Sequence, residues 1–252
     1  MGFKVGELLS GELRSFGFTS CDLTVEQASE IHKEYGTNGA IVWDDELGGF
    51  RSATLEEVIE KVSPSNTMSP SKIFQHILLS KQMDVSIEQL DQALIGKGSL
   101  EGTGFTFKAA ADIYGVDPVY LIAHSLLETN HGASALANGT VKDYEGYYNV
   151  FGLAAYDGDA SNLGAAFAKQ KNWNNVKKAI IGGAKCISDW YTYSSHDQDT
   201  LYKMLYNPAN PGVHQYATDI GWAEKQSNMI YRICRDNGMD ELEVEIDYPV
   251  YK

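Results

Sequence analysis

The sequence predicts a mainly helical (α+β) domain with one irregular or β-rich insertion, and three observations carry that prediction. Apolar residues recur at the 3.6-residue helical period through most of residues 71–130 and again through 174–238. Several of these segments stop at glycine, a common helix terminator. Between them, residues 138–164 (NGTVKDYEGYYNVFGLAAYDGDASNLG) are rich in Gly, Asn, Asp and Tyr, the composition of turns and short strands.

Taken in order, residues 1–20 hold two amphipathic scraps, VGELLSGELRSF, whose glycines argue against one long helix. LTVEQASEIHKEYG (23–36) and ATLEEVIEKV (53–62) place apolar and acidic residues at helical spacing, each with a threonine placed to cap it. NGAIVWDDELGG between them reads as a short strand or a packed loop, and SPSNTMSPS (63–71) as a connector. The helical series then runs through SKIFQHILLSKQ (71–82), SIEQLDQALIG (86–96), FTFKAAADIYG (105–115) and DPVYLIAHSLLETN (117–130). After the insertion it resumes with NNVKKAIIGGAKCISDWY (174–191) and DIGWAEKQSNMIYRICRDNG (219–238). This divides the chain into an acidic helical lead-in, residues 1–70, and a main domain, residues 71–252.

The formal charge of −14 makes nucleic acid and anionic membrane surfaces poor electrostatic partners. No apolar run approaches the roughly 20 residues that span a bilayer, and no signal-peptide h-region is visible. The acidic tail DELEVEID (240–247) reads as solvated surface. Three scattered cysteines, Cys21, Cys186 and Cys234, are too few for a metal cluster or a disulfide framework and read as small buried residues, with one pair conceivable.

The candidate for chemistry is Glu128 in LLETNHG. On a helix over 118–130, Val119, Ile122, Ala123 and Leu126 fall opposite it, while Leu121, His124, Ser125 and His131 share its side. At a helix C-terminus the dipole disfavours an anion, which suits a carboxyl that must hold a proton as a general acid. The plain alternative is an exposed helical glutamate. His124 and His131 lack the H-E-x-x-H spacing and a third ligand, so they read as structural histidines; no metal and no cofactor is expected. The many Tyr and Trp residues downstream of Glu128 suit a cleft for sugars, whose apolar faces stack on aromatic rings.

Four stretches in register, VYLIAHSLLETNHGASALANG, YYNVFGLAAYDGD, AIIGGAKCISDWY and TLYKMLYNPANPGVHQYATDIGWA, resemble the endo-β-N-acetylglucosaminidases of glycoside hydrolase family 73, nearest the glucosaminidase domain of staphylococcal-type bifunctional autolysins. The likeness is dense from Ser71 onward and thinner over 21–70. It implies a lysozyme-like helical fold with a small β-containing lobe flanking a substrate groove. It also implies hydrolysis of peptidoglycan at the GlcNAc-β-1,4-MurNAc bond, at the bacterial cell wall, with Glu128 as the acid. Asp157 matches a position for the second group, with Glu145 the alternative, and attack by the substrate's own acetamido group is a third route. Tyr216 and Asp219 match the groove wall, Tyr216 supporting the reacting sugar, while Phe151 and Gln215 match sugar-binding positions. Turn, cap and packing roles compete for several of these: Asx-turns at Asp157 and Asp159, a cap at Asp219, pinning of the lobe by Tyr148 and Asn149, and a turn held by Tyr206, Asn207 and Pro208.

Wall-acting members are often basic and carry wall-binding repeats, whereas this chain is acidic and shows none; with no signal peptide visible either, it reads as a phage lysin released by a holin, a tail-associated enzyme that opens the wall during infection, or an excised domain of an exported autolysin, with a phage or phage-like origin preferred. The rival readings are a muramidase or lytic transglycosylase on the same fold, and a silent glycan-binding component of a phage tail or wall. Nothing in the sequence sets an oligomeric state.

Overall fold

A computed structural model of the chain describes residues 2–11, 17–36, 39–155 and 158–252. The chain folds as two compact units interleaved in sequence: Met1–Leu79 with Tyr191–Arg232 and Glu243–Lys252, and Ser80–Trp190 with Ile233–Leu242.

The first unit begins with β1 (Gly2–Lys4), α1 (Val5–Ser10), β2 (Gly17–Ser20), α2 (Val25–Tyr35), the hairpin β3 (Ile41–Asp44) and β4 (Gly49–Ser52), and α3 (Leu55–Val62). Thr24 and Thr54 each close a capping box, with Gln27 and Glu57 returning the bond, and this fixes both helix starts where the sequence places them. The second unit supplies α4 (Ile87–Ala93), α5 (Gly104–Tyr114), α6 (Pro118–Glu128), α7 (Ala135–Asn138), α8 (Ala160–Gln170) and α9 (Val176–Ile187). The chain then adds α10 (Leu201–Tyr206), α11 (Trp222–Asp236), β5 (Glu243–Glu245) and β6 (Asp247–Val250).

The mainly helical class holds, and small sheets are present, but the β structure lies elsewhere than expected. β1 pairs antiparallel with β5, β2 parallel with β6, and β3 with β4. Among the described residues of 138–164 there is no strand; turns lead into α8. Its glycines and aspartates make turns, several with positive φ (Gly139, Asp143, Gly146, Gly152, Gly158).

Two further expectations are corrected. Residues 71–82 do not form a helix; a single 3-10 turn, Ile73–His76, gives way to extended chain in which Ile77 bridges Ile246 and Leu78 and Leu79 donate to Glu245 O and Asp199 O. All of residues 73–77 are buried, and tertiary backbone bonds replace the helical ones that the apolar spacing suggested. The acidic tail is not merely solvated surface: Val244 and Ile246 are buried while the acids alternate outward, the period-two pattern of a strand. Asp247 also reaches the buried Lys203 at 2.6 Å, and Asp199 meets the same ammonium at 2.9 Å. Burial opposes that charge, yet the two carboxylates hold it above the usual lysine range. All three cysteines are buried and free.

In the second unit α5 packs on α4, α6 and α9, and α6 is the inner helix. Every side chain from Pro118 to Leu126 is buried, so α6 has no solvent face of the kind a helical wheel suggests. Asp117 starts it, accepting from Tyr120 N and Met83 N at 2.8 Å each, with Pro118 in the first turn. Burial pushes the Asp117 carboxyl up to about 6, against the lowering effect of its backbone N–H donors. The folded state therefore binds this proton more tightly than the unfolded one. The stability it contributes is full below about pH 4 and is lost as pH rises through 6. The wild type's stability relative to Asp117→Asn is expected to fall by on the order of 2–3 kcal/mol between pH 4 and pH 7 in urea titrations. A pH-independent difference between the two proteins would refute this.

Candidate active site

α6 ends at Glu128, and the chain turns away at once. Thr129 donates from Oγ1 to Ser125 O and accepts from Gly132 N at 2.8 Å. Asn130, His131 and Gly132 follow with φ of 49°, 58° and 79°, three consecutive left-handed residues. Gly132 sits where any Cβ would collide with Lys97 O, so glycine is required there for contact as well as conformation. The reversal leaves the last helical side chain uncovered: Glu128 is 25% exposed, while Leu126 two residues earlier is 1% exposed.

Two groups floor this carboxyl, His124 and Gly152. His124, one turn back and wholly buried, places Nε2 3.8 Å from Glu128 Oε1. Burial drives the imidazole down to about 3, so it is neutral at working pH and the contact is not an ion pair. Tyr120 Oη lies 2.9 Å from His124 Nδ1 and fixes the ring from behind. Phe151 meets His124 edge to face at 5.5 Å. Gly152, at φ 63°, presses its backbone against the other oxygen: a Cβ there would lie 2.7 Å from Glu128 Oε2. His124 is thus engaged in packing and in its contact with Tyr120, as a structural histidine is.

The Phe151–Gly152 backbone is positioned by Asn149, which is 1% exposed. Its Nδ2 donates to Leu153 O (2.8 Å) and Gly164 O (3.1 Å), and its Oδ1 accepts from Phe151 N and Leu153 N at 3.3 Å. Tyr148 N donates to Trp173 O at 2.9 Å. The pinning roles expected of Tyr148 and Asn149 are what the geometry shows. Phe151 itself is wholly buried, its ring lying against α9 at Gly183, where a side chain would collide with it. It therefore acts as packing beneath Glu128 and presents no surface to a sugar, contrary to expectation. Glu145 is exposed in the turn closed by Gly146, whose N–H bonds Gly139 O at 2.8 Å. Asp159 accepts from Asn162 at 2.9 Å ahead of α8. Asp157 lies outside the described residues.

The other expected residues belong to the first unit. Tyr216 is half-buried, stacked on Trp222 at 4.5 Å and tilted against Tyr191 at 5.0 Å, and its N–H bonds Met204 O. Gln215 is 3% exposed, with Nε2 3.1–3.2 Å from the His32 ring nitrogens and 3.3 Å from Gly39 O. It is a buried tie rather than a sugar contact, because its amide is spent inside the chain. Asp219 accepts from Gly221 N at 2.9 Å and pairs with Lys225 at 2.5 Å, so its carboxylate is held at the turn that leads into α11. Asn207 (φ 44°) and Tyr206, which donates to Ile220 O at 2.7 Å, hold their turn.

Residues 104–235 match the family described as mannosyl-glycoprotein endo-beta-N-acetylglucosaminidase, or glucosaminidase. The bifunctional autolysins of Staphylococcus aureus strains MSSA476 and MW2 are 44% identical over 191 residues, 73% of this chain. The chain belongs to the glucosaminidase family. It spans 15% of the length of those curated relatives. Among solved structures, a major bifunctional autolysin matches with a TM-score of 0.70 and 38% identity over 94% of this chain and 99% of that one. S. aureus autolysin E, in complex with the muropeptide NAM-L-Ala-D-iGlu, matches at 0.76 and 32% over 92% and 98%. A catalytic mutant of autolysin E, glutamate replaced by alanine, in complex with the disaccharide NAG-NAM, matches at 0.76 and 32% over 92% and 99%. This glucosaminidase is thus a glycoside hydrolase by family and shares the mainly helical, lysozyme-like fold of the autolysin glucosaminidases.

Sequence reasoning missed the part played by Gly152 and by Asp117. The only signal for Gly152 is a glycine directly after an aromatic in VFGL, which says nothing of what its missing side chain makes room for.

Proposed function

We propose that this glucosaminidase hydrolyses the glycan strands of bacterial peptidoglycan at the GlcNAc-β-1,4-MurNAc bond, at the cell wall, with Glu128 as general acid. The observation that carries the reading is the Glu128 carboxyl, left a quarter exposed by the helix reversal and floored by a neutral imidazole and by the Gly152 backbone. The autolysin E complex with NAG-NAM, made with a catalytic glutamate mutant, supports the same substrate and the same residue type.

In this scheme the Glu128 proton passes to the glycosidic oxygen as the C–O bond breaks, and positive charge develops at the anomeric carbon of the GlcNAc ring. Asp157 is our first choice to orient the incoming water or stabilise that charge, with Glu145 second; Tyr216 supports the N-acetyl group. Residues 71–252 are the catalytic domain in this reading, and residues 1–70 its lead-in.

The test is to digest purified peptidoglycan, reduce the products with borohydride and identify the new terminal sugar by mass spectrometry. Reduced GlcNAc is expected. Reduced or anhydro-MurNAc would replace this reading with a muramidase or transglycosylase, and no product from wall that a control enzyme digests would replace it with a silent glycan binder.

A further inference from the structure

We propose that Tyr120 and His124 are positioning residues for Glu128: the Tyr120 hydroxyl donates to His124 Nδ1, which leaves the proton of the neutral ring on Nε2, and that Nε2–H closes on Glu128 as its carboxyl becomes a carboxylate. The inference rests on the general-acid reading above and deepens it.

Tyr120, His124 and Glu128 follow one another at intervals of four residues on α6, and side chains at that spacing are neighbours along one helix face. They form a file from the buried middle of the helix to its uncovered end. The phenol and the imidazole are wholly buried, whereas the carboxyl is a quarter exposed. Tyr120 Oη meets Nδ1 at 2.9 Å, and Phe151 meets the ring edge to face at 5.5 Å. Nε2 is then the ring nitrogen that faces Glu128, 3.8 Å from Oε1. Burying a phenol and an imidazole costs more than burying apolar side chains of similar size, so packing alone does not account for this file.

Chemistry sets the place of the ring proton. A neutral imidazole carries one N–H and one lone pair. A lone pair on Nε2 would repel Oε1 as negative charge builds there, whereas an N–H attracts it. At 3.8 Å the contact is longer than a hydrogen bond, so it does little for the protonated acid. A small shift shortens it once the proton has passed to the glycosidic oxygen. A donor that serves the forming carboxylate better than the starting acid lowers the barrier, and the neutral ring supplies it without a competing charge. The proton delivered to the substrate is that of Glu128; none leaves the ring.

A spectrum and a set of rates test this on the full chain. In protein labelled with heavy nitrogen, the His124 ring, identified by its absence in His124→Gln, is expected to show the proton–nitrogen NMR correlations of the Nε2–H form. The Nδ1–H form overturns the proposal. On peptidoglycan, Tyr120→Phe is expected to lower kcat about three- to tenfold with KM unchanged, and to lower it less on an activated aryl glycoside, whose departure hardly needs a proton. His124→Leu is expected to lose about 10²-fold in the same pattern, the low end for removal of one transition-state donor, and Tyr120→Phe to add nothing further in that background. His124→Gln, which keeps an N–H donor, is expected to recover part of the loss. Should the thermal midpoint show that His124→Leu fails to fold, Tyr120→Phe, which removes a single oxygen atom, decides together with the ring spectrum. Full kcat in Tyr120→Phe, or equal losses on both substrates, overturns the positioning role and leaves Glu128 as the acid. A Glu128→Gln protein that keeps wild-type turnover overturns both readings.

Discussion

Glu128→Gln is expected to lose about 10²- to 10⁴-fold in turnover of peptidoglycan, the range over which a positioned general acid contributes, while its thermal midpoint moves little. Glutamine fills the same space and keeps one acceptor oxygen, but it has no proton to give. The side chain is a quarter exposed and the His124 ring beneath it is neutral, so removing the charge breaks no ion pair with that imidazole. The loss should also depend on the leaving group. A natural glycosidic oxygen needs protonation as it departs, whereas a nitrophenolate hardly does, so an activated aryl glycoside should recover much of the lost rate. Clearing of wall suspensions and release of nitrophenol measure the two. If both substrates lose activity equally, Glu128 is acting on binding or on folding rather than as the acid.

Gly152→Ala is the second large effect. Its φ of 63° lies in the left-handed region, where a Cβ costs about 1–2 kcal/mol, and the added methyl would stand 2.7 Å from Glu128 Oε2. One of them must move. The carboxyl is the freer, since the Gly152 backbone is tied down through Asn149. Turnover is expected to fall about 10²-fold, the order of loss for a misplacement near 1 Å. Gly146→Ala is the control: its φ is 82°, but nothing lies within 4 Å of where its Cβ would be. It should pay the conformational cost in urea unfolding with little effect on turnover. Equal turnover in the two variants would show that contact with Glu128 is not what Gly152 provides.

The helices were legible wherever a cap and a period agreed. Thr24 and Thr54 each announce a start, and α2 and α3 begin beside them. Residues 71–82 show the failure of the same reasoning, because a segment buried on every side has apolar residues at helical spacing whatever its conformation. The β pairings were illegible for another reason: β1 and β5, or β2 and β6, lie at opposite ends of the chain, and no local pattern reports a partner so remote. At the site, the place of Glu128 at a helix end could be read from the spacing of its neighbours and the glycine that follows. Phe151 and Gln215 could not be placed, since residue type tells what a side chain can do with a ligand and not whether one can reach it. Both spend their contacts inward.

The pairing of β5 and β6 with β1 and β2 also has a consequence for synthesis. Strands β1 and β2 emerge from the ribosome long before their hydrogen-bonding partners, residues 243–250. At about 5–20 residues per second, roughly 10–45 s separate the two events. Throughout that interval β1 and β2 present unpaired edges to solvent or to a chaperone, whereas Ser80–Trp190, one continuous stretch of the second unit, is synthesised well before β5 and β6 appear. A nascent chain stalled before residue 243 would therefore be expected to hold the Glu128 helix among its packed neighbours while β1 and β2 still waited for partners.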